Sequence, residues 1–320
     1  MKNIVILDSK PLNPGDMSFD SLRQLGNLTV YEQCPNDTKE IVERAKDCEI
    51  LLVCYSKITR DVIEKLPELK YIGVLSTGFD SVDLDAARDH GIVVTNVPAY
   101  GTDAVAQFAL ALLLEITTRI GHHNREVKKG RWSKEGFWYF GDFPLIELTG
   151  KTIGIMGLGK IGLAAAKIYK AMGMEVLAYN RGQNEEAKAF VKYVSKDEIF
   201  EKSHIIDLHL PLNDETKDII NGDSISKMKD GVIIINTARG GLIDEKALMK
   251  GIDSGKIFAA GLDVNNNEPI NDDNPMLAYD NIILTPHMAW GPIETRKRLL
   301  EIAIDNIKAF EKGKAKNVVN

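Results

Sequence analysis

Forty basic residues against 46 acidic ones in a chain of 320 give a formal charge of −6 and a pI near 5.6, which speaks against a protein built to neutralise a nucleic-acid backbone. Hydrophobic residues at 44% and charged residues at 27% fit a folded, soluble chain long enough for two domains. The greasiest stretch, residues 104–116, is broken by Gln107 and Glu115 and falls short of the roughly 20 apolar residues a membrane-spanning helix needs.

In chain order, residues 4–7 form the first strand candidate, and Asp8 ends that run too early for a signal peptide. Three cysteines follow, Cys34, Cys48 and Cys54. They are odd in number and lack Cys-x-x-Cys spacing, so reduced thiols and a cytoplasmic location are expected, with no disulfide frame and no metal site. Residues 50–54, 71–75 and 92–95 are brief, continuously apolar and rich in β-branched side chains, as strands buried on both faces should be. Between them, residues 38–45, 61–65 and 82–90 carry helical polarity patterns, and Gly91 stands where a helix C-terminus prefers glycine. That alternation predicts an α/β fold with a parallel sheet.

A second series of such units begins at residues 102–119, a long Ala/Leu-rich helix apolar on more than one face and so expected to be buried. Further strands are predicted at 152–156, 175–179, 205–210, 232–236, 259–264 and 281–284, and residues 292–311 read as one amphipathic helix.

The chemistry starts at Ile153-Gly154-Ile155-Met156-Gly157-Leu158-Gly159-Lys160-Ile161-Gly162. A G-x-G-x-x-G string is weak alone, but here it follows an apolar strand and opens a helix. Gly157 would allow the tight turn, Gly159 the approach of backbone to a pyrophosphate, and Gly162 close packing of helix on strand. Dinucleotide binding is the expectation. The next predicted strand ends at Tyr179-Asn180-Arg181, and Asn180 stands 18 residues after Gly162, where a ribose-binding carboxylate is usual. Asn180 can still bond a ribose hydroxyl without repelling a 2′-phosphate, and Arg181 could pair with that phosphate. NADP is therefore mildly favoured over NAD.

Three polar residues follow later strands, where open α/β sheets place their ligand crevice: Arg239, Glu268 and His287. Together they supply an anion clamp, a carboxylate and an imidazole, which suits chemistry on a carboxylate substrate.

At this point the chain resembles the D-isomer-specific 2-hydroxyacid dehydrogenases, nearly end to end. Thr77-Gly78-Phe79-Asp80, Asn96-Val97-Pro98-Ala99-Tyr100, the glycine string, Asn236-Thr237-Ala238-Arg239-Gly240, Gly261-Leu262-Asp263-Val264 and Thr285-Pro286-His287 fall in family order. Asp142-Phe143-Pro144-Leu145-Ile146-Glu147-Leu148 and His287-Met288-Ala289-Trp290 resemble the glycerate dehydrogenase (hydroxypyruvate reductase) branch. The resemblance implies two doubly wound parallel-sheet domains, a Rossmann-type cofactor domain (100–289) inserted into a flavodoxin-like substrate domain (1–99 plus 290–320). It implies that Arg239 holds the substrate carboxylate and carbonyl, that His287 donates and accepts the proton, and that Glu268 pairs with His287. Thr77 and Gly78 would help bind substrate. Gly157, Leu158, Gly159, Lys160, Ile161, Gly162, Asn180, Arg181, Pro211, Thr216, Thr237, Ala238 and Asp263 would line the NAD(P) site. The partners it implies are a small 2-oxo or 2-hydroxy acid and a second subunit in a homodimer, with no nucleic acid and no membrane.

Two departures from the family pattern stand out: Asn180 at the usually acidic position, and Asn265-Asn266-Asn267 where an aromatic and charged residues are more frequent. The expected reaction is hydride transfer between the nicotinamide and a D-2-hydroxy acid, glycerate/hydroxypyruvate or glycolate/glyoxylate. The alternatives are a dinucleotide-sensing binding protein of the same fold, which would bind cofactor yet turn over poorly, and phosphoglycerate dehydrogenase, which would want further basic residues for its phosphate.

Overall fold

Runs such as Ile50–Val53 and Val232–Asn236 are buried along their whole length, so they show no alternation of polar and apolar positions. The computed structural model describes residues 1–34 and 36–320. It contains two units, Met1–Gly101 with Trp290–Asn320, and Thr102–Ala289.

In the first unit, strands β1 (Asn3–Ile6), β2 (Asn27–Val30), β3 (Ile50–Val53), β4 (Tyr71–Val74) and β5 (Val93–Thr95) alternate with helices α1 (Asp20–Arg23), α2 (Thr38–Ala45), α3 (Arg60–Ile63) and α4 (Leu84–Asp89). All strands are parallel in the order β2-β1-β3-β4-β5, the flavodoxin-like arrangement. The apolar pattern does not mark β2, because this edge strand is only half buried on alternate residues. The terminal helix, Ile293–Glu311, belongs to this unit, where Arg296 grips Asp16 through two bonds of 2.7 and 2.6 Å. Arg298 Nε donates to the Tyr100 carbonyl at 2.8 Å, which ties residues 100–101 to the same unit.

The second unit opens on α5 (Thr102–Thr118), α6 (Ile120–Lys128) and α7 (Arg131–Glu135). Strands β6 (Thr152–Met156), β7 (Glu175–Tyr179), β8 (Lys192–Tyr193), β9 (Ile205–Leu208), β10 (Val232–Asn236), β11 (Ile257–Leu262) and β12 (Ile282–Leu284) follow, with helices α8 (Lys160–Ala171), α9 (Lys196–Lys202), α10 (Gly222–Lys227) and α11 (Glu245–Asp253) between them. The terminal helix of the chain is thus α12. The sheet order is β12-β11-β10-β9-β6-β7-β8, all parallel, the doubly wound Rossmann order extended by one strand at the β12 edge. β12 pairs on one side only, through three residues.

α5 lies against this sheet: a Cβ at Gly261 of β11 would press on Leu112 and Ile116 of the helix. No single helix among the described residues is long and apolar enough to cross a membrane; α5 and α6 pass such a test only as a pair bent by 57°, and α5 is largely buried here. β9 stops at Leu208, two residues short of its expected end. β11 occupies 257–262 and not 259–264; Asp263 N still donates to the Asn236 carbonyl at 2.9 Å, and beyond it the chain enters the loop that carries Glu268.

Candidate active site

At the dinucleotide end, Gly157 has φ +95°, and a side chain there would meet the His209 carbonyl, so only glycine makes this turn without strain. A Cβ at Gly162 would collide with the Gly157 carbonyl, which accounts for the close fit of α8 on β6. Gly159 differs: nothing lies within 4 Å of where its Cβ would point. Helices such as α2 and α11 are capped by Asp37 and Asp244, but α8 starts at Gly159 with no side-chain cap. An uncapped helix N-terminus behind an open glycine is a ready anion site, and it fits a dinucleotide pyrophosphate.

Asn180 follows β7 and has both ends of its amide engaged. Its Oδ1 accepts from Leu158 N at 3.1 Å, and its Nδ2 donates to the Gly182 carbonyl at 2.6 Å. The neutral side chain therefore braces the glycine turn itself. Arg181 is exposed and forms no ion pair among the described residues. After β9, the Thr216 hydroxyl donates to the Pro211 carbonyl at 2.6 Å and closes that loop. Thr237, just past β10, is buried, and its Oγ1 has no partner among the described residues, a polar atom that suits a ligand beside it.

Arg239, Glu268 and His287 come from the ends of three neighbouring strands, β10, β11 and β12. Asn236 at the end of β10 fixes the arginine's backbone, its Nδ2 donating to the Arg239 carbonyl at 2.8 Å. A Cβ at Gly240 would fall on the Asn265 backbone, so glycine lets the arginine segment pack directly on the loop that carries Glu268. That loop is held twice through main chain. Asn265 N donates to Glu268 Oε1 at 3.0 Å, and Asn266 N donates to Glu245 Oε1 at 3.1 Å.

His287 Nδ1 lies 2.6 Å from Glu268 Oε2. Burial pushes the Glu268 carboxyl up, but the His287 hydrogen bond and charge, the Asn265 N–H and the Arg239 charge outweigh it and hold the group below the ordinary carboxylate range. An ionised carboxylate only accepts, so Nδ1 carries the hydrogen and Nε2 is left as the nitrogen that can give or take a proton. Both side chains remain more than a third exposed.

The His287 backbone sits at φ +52°, an uncommon conformation for a residue with a side chain. Asp263 holds it there. Its carbonyl accepts from His287 N at 2.9 Å, Oδ1 accepts from Thr285 Oγ1 at 2.6 Å and Met288 N at 2.9 Å, and Oδ2 accepts from Ala289 N at 2.8 Å. Asp263 is fully buried, and burial raises its carboxyl above the usual value despite those donors. The carboxylate expected at the nicotinamide end thus also clamps the histidine loop. The sequence carries a signal for this, an acidic residue ending an apolar strand, but not its target. Glu245 escapes sequence reasoning because an acid in a helix's first turn reads as ordinary dipole complementarity. Thr77 and Gly78 lie in the first unit, just beyond β4, where the Thr77 carbonyl accepts from Asn96 Nδ2 at 2.7 Å. No group of three or more His, Cys, Asp or Glu among the described residues is arranged to hold a metal ion.

The chain is also similar to known proteins along nearly its whole length. Residues 110–289 match the family described as D-isomer specific 2-hydroxyacid dehydrogenase, NAD binding domain. The hydroxypyruvate reductase of Blautia hydrogenotrophica is 48% identical over 319 residues, covering 99% of each chain. The glycerate dehydrogenase of Methylorubrum extorquens is 38% identical over 320 residues, again covering 99% of each. Among solved structures, the D-lactate dehydrogenase of Aquifex aeolicus, complexed with NAD and lactic acid, superposes with a TM-score of 0.83 at 34% identity, covering 97% of this chain and 96% of that one.

Proposed function

The chain belongs to the D-isomer-specific 2-hydroxyacid dehydrogenases, and from that premise we propose that it reduces hydroxypyruvate, and secondarily glyoxylate, to the D-2-hydroxy acid, with NADP(H) favoured over NAD(H). The observation that carries the reading is the His287–Glu268 pair at 2.6 Å, set beside Arg239 at the ends of three adjacent strands.

A bound nicotinamide supplies or accepts the hydride at its C4. Residues 157–162 and the α8 N-terminus would hold the pyrophosphate, with Pro211, Thr216, Thr237, Ala238 and Asp263 around the rest of the cofactor. Arg239 presents a planar fork that binds a carboxylate in bidentate fashion and orients the adjacent carbonyl. His287 Nε2 gives its proton to the developing alkoxide in reduction and removes it in oxidation. Glu268 stabilises the imidazolium and fixes the ring. Thr77 and Gly78 of the first unit would help bind substrate through their backbone.

The preference for NADP(H) rests on neutral Asn180, which carries no charge against a 2′-phosphate, and on the exposed guanidinium of Arg181 beside it. The test is initial rates of hydroxypyruvate, glyoxylate and pyruvate reduction, each with NADH and NADPH. We expect hydroxypyruvate with NADPH to be fastest. Tight dinucleotide binding without turnover would replace this reading with a sensing protein of the same fold.

Two further readings accompany it. Trp138 is 98% exposed, and Phe137, Tyr139, Trp132, Ile120 and Leu145 crowd the same segment. Asp142 anchors the segment. Its carboxyl is held down to about 2 by Arg131 and His122, which approach its Oδ2 at 2.5 and 2.6 Å. An ordered apolar surface of this kind suits a second copy of the chain, and sedimentation should return twice the 35.5 kDa monomer mass. A monomer at micromolar concentration would remove the dimer. Three cysteines that form no disulfide among the described residues suit a reducing cytoplasm.

A further inference from the structure

One buried acid plays no part in the chemistry above. Asp207 lies in β9, fully buried, with Ile155 of β6 and Ile235 of β10 as its neighbours across the sheet. Its Oδ1 has no partner among the described residues, while Oδ2 takes two: the Tyr169 hydroxyl at 2.7 Å and His209 Nε2 at 2.9 Å. A carboxylate in such surroundings costs stability, and an isoleucine like those flanking it would pack there without that cost. Burial and the adjacent Asp207 charge push the Tyr169 hydroxyl well above its ordinary range, so it stays a donor to that oxygen.

What the acid joins is specific. Tyr169 belongs to α8, the helix whose uncapped N-terminus faces the proposed pyrophosphate site. His209 forms the floor of the glycine turn: its N donates to the Met156 carbonyl at 2.8 Å, and its own carbonyl occupies the place of a Gly157 Cβ. The His209 ring is 2% exposed and is held by Asp207. Pro211 and Thr216 follow two and seven residues later in the same loop. One carboxylate oxygen therefore ties together the helix, the turn and the loop that make up the dinucleotide site.

We propose that Asp207 is a positioning residue for dinucleotide binding, holding His209 under Gly157 and α8 in register with the turn through Tyr169. The proposal rests on the reading of residues 157–162 as the pyrophosphate site. It is tested by direct binding, with NADH and NADPH titrated against nicotinamide fluorescence at a temperature where melting curves show each variant folded. Asp207→Ala and Tyr169→Phe should each raise Kd by about fivefold to tenfold, the worth of a lost buried hydrogen bond expressed through a neighbour. Asp207→Asn, whose amide oxygen can accept both donors, should restore Kd to within about twofold of the parent.

Unchanged Kd in folded Asp207→Ala overturns the proposal, as does equal weakening in the Asn and Ala variants, which would assign the effect to charge. Should the Ala variant fail to fold, Tyr169→Phe decides alone, and an unchanged Kd there overturns the proposal. Absence of binding by the parent protein would instead sink the dinucleotide reading on which the proposal stands.

Discussion

His287→Ala is expected to lower kcat by about 10²–10⁴, the usual worth of a positioned acid–base group. Neither Glu268 nor Arg239 is placed to take over. Glu268 is committed to Nδ1 and to Asn265 N, and Arg239 is assigned to the substrate carboxylate. Alanine at φ +52° is also strained, so the companion variant is His287→Asn, because asparagine tolerates that backbone conformation better. Both variants should lose turnover together, and melting curves should show Asn folding at least as well as Ala. Near-normal kcat in either folded variant would end the proposed role.

Arg239→Lys should raise KM for the 2-oxo acid by about 10–100-fold, corresponding to the roughly 1.5–3 kcal/mol of a lost charge-assisted hydrogen bond. The substitution keeps the positive charge beside Glu268, so the acid–base pair is disturbed less than the clamp. A point charge on a flexible stem cannot reproduce the two parallel bonds of a guanidinium. The arginine's main chain is fixed by Asn236, so the lysine starts from the same place. Steady-state kinetics in hydroxypyruvate at saturating dinucleotide would read the change, and an unaltered KM would count against the clamp.

Much of this architecture is legible in the order of the residues alone. Strands buried on both faces announce themselves as unbroken apolar runs, and all the predicted strands except 205–210 and 259–264 match within one residue at each end. What escapes lies at edges and surfaces. β2 and β8 flank their sheets and carry weak patterns, and α6 and α7 bury no residue at all, so no apolar stripe marks them. The site shows the same division. Arg239, Glu268 and His287 stand out because polar residues after buried strands are conspicuous. The services of Asp263, Glu245 and Asp207 are contacts across the chain, and spacing along a sequence does not reveal partners 25, 21 or 38 residues away. Asn180 can be read for its missing charge but not for its grip on Leu158.

The placement of β12 carries a final consequence. The proposed proton donor follows a three-residue strand bonded on one side only, whereas β6, which leads into the glycine turn, is paired on both sides in mid-sheet. Backbone amides at such a rim open and exchange long before those at the centre. Transient fraying of β12 would carry His287 away from Glu268 while the interior strands stay closed. Warming or mild denaturant should therefore silence the enzyme by sub-global opening, with its capacity to hold a dinucleotide outlasting its turnover.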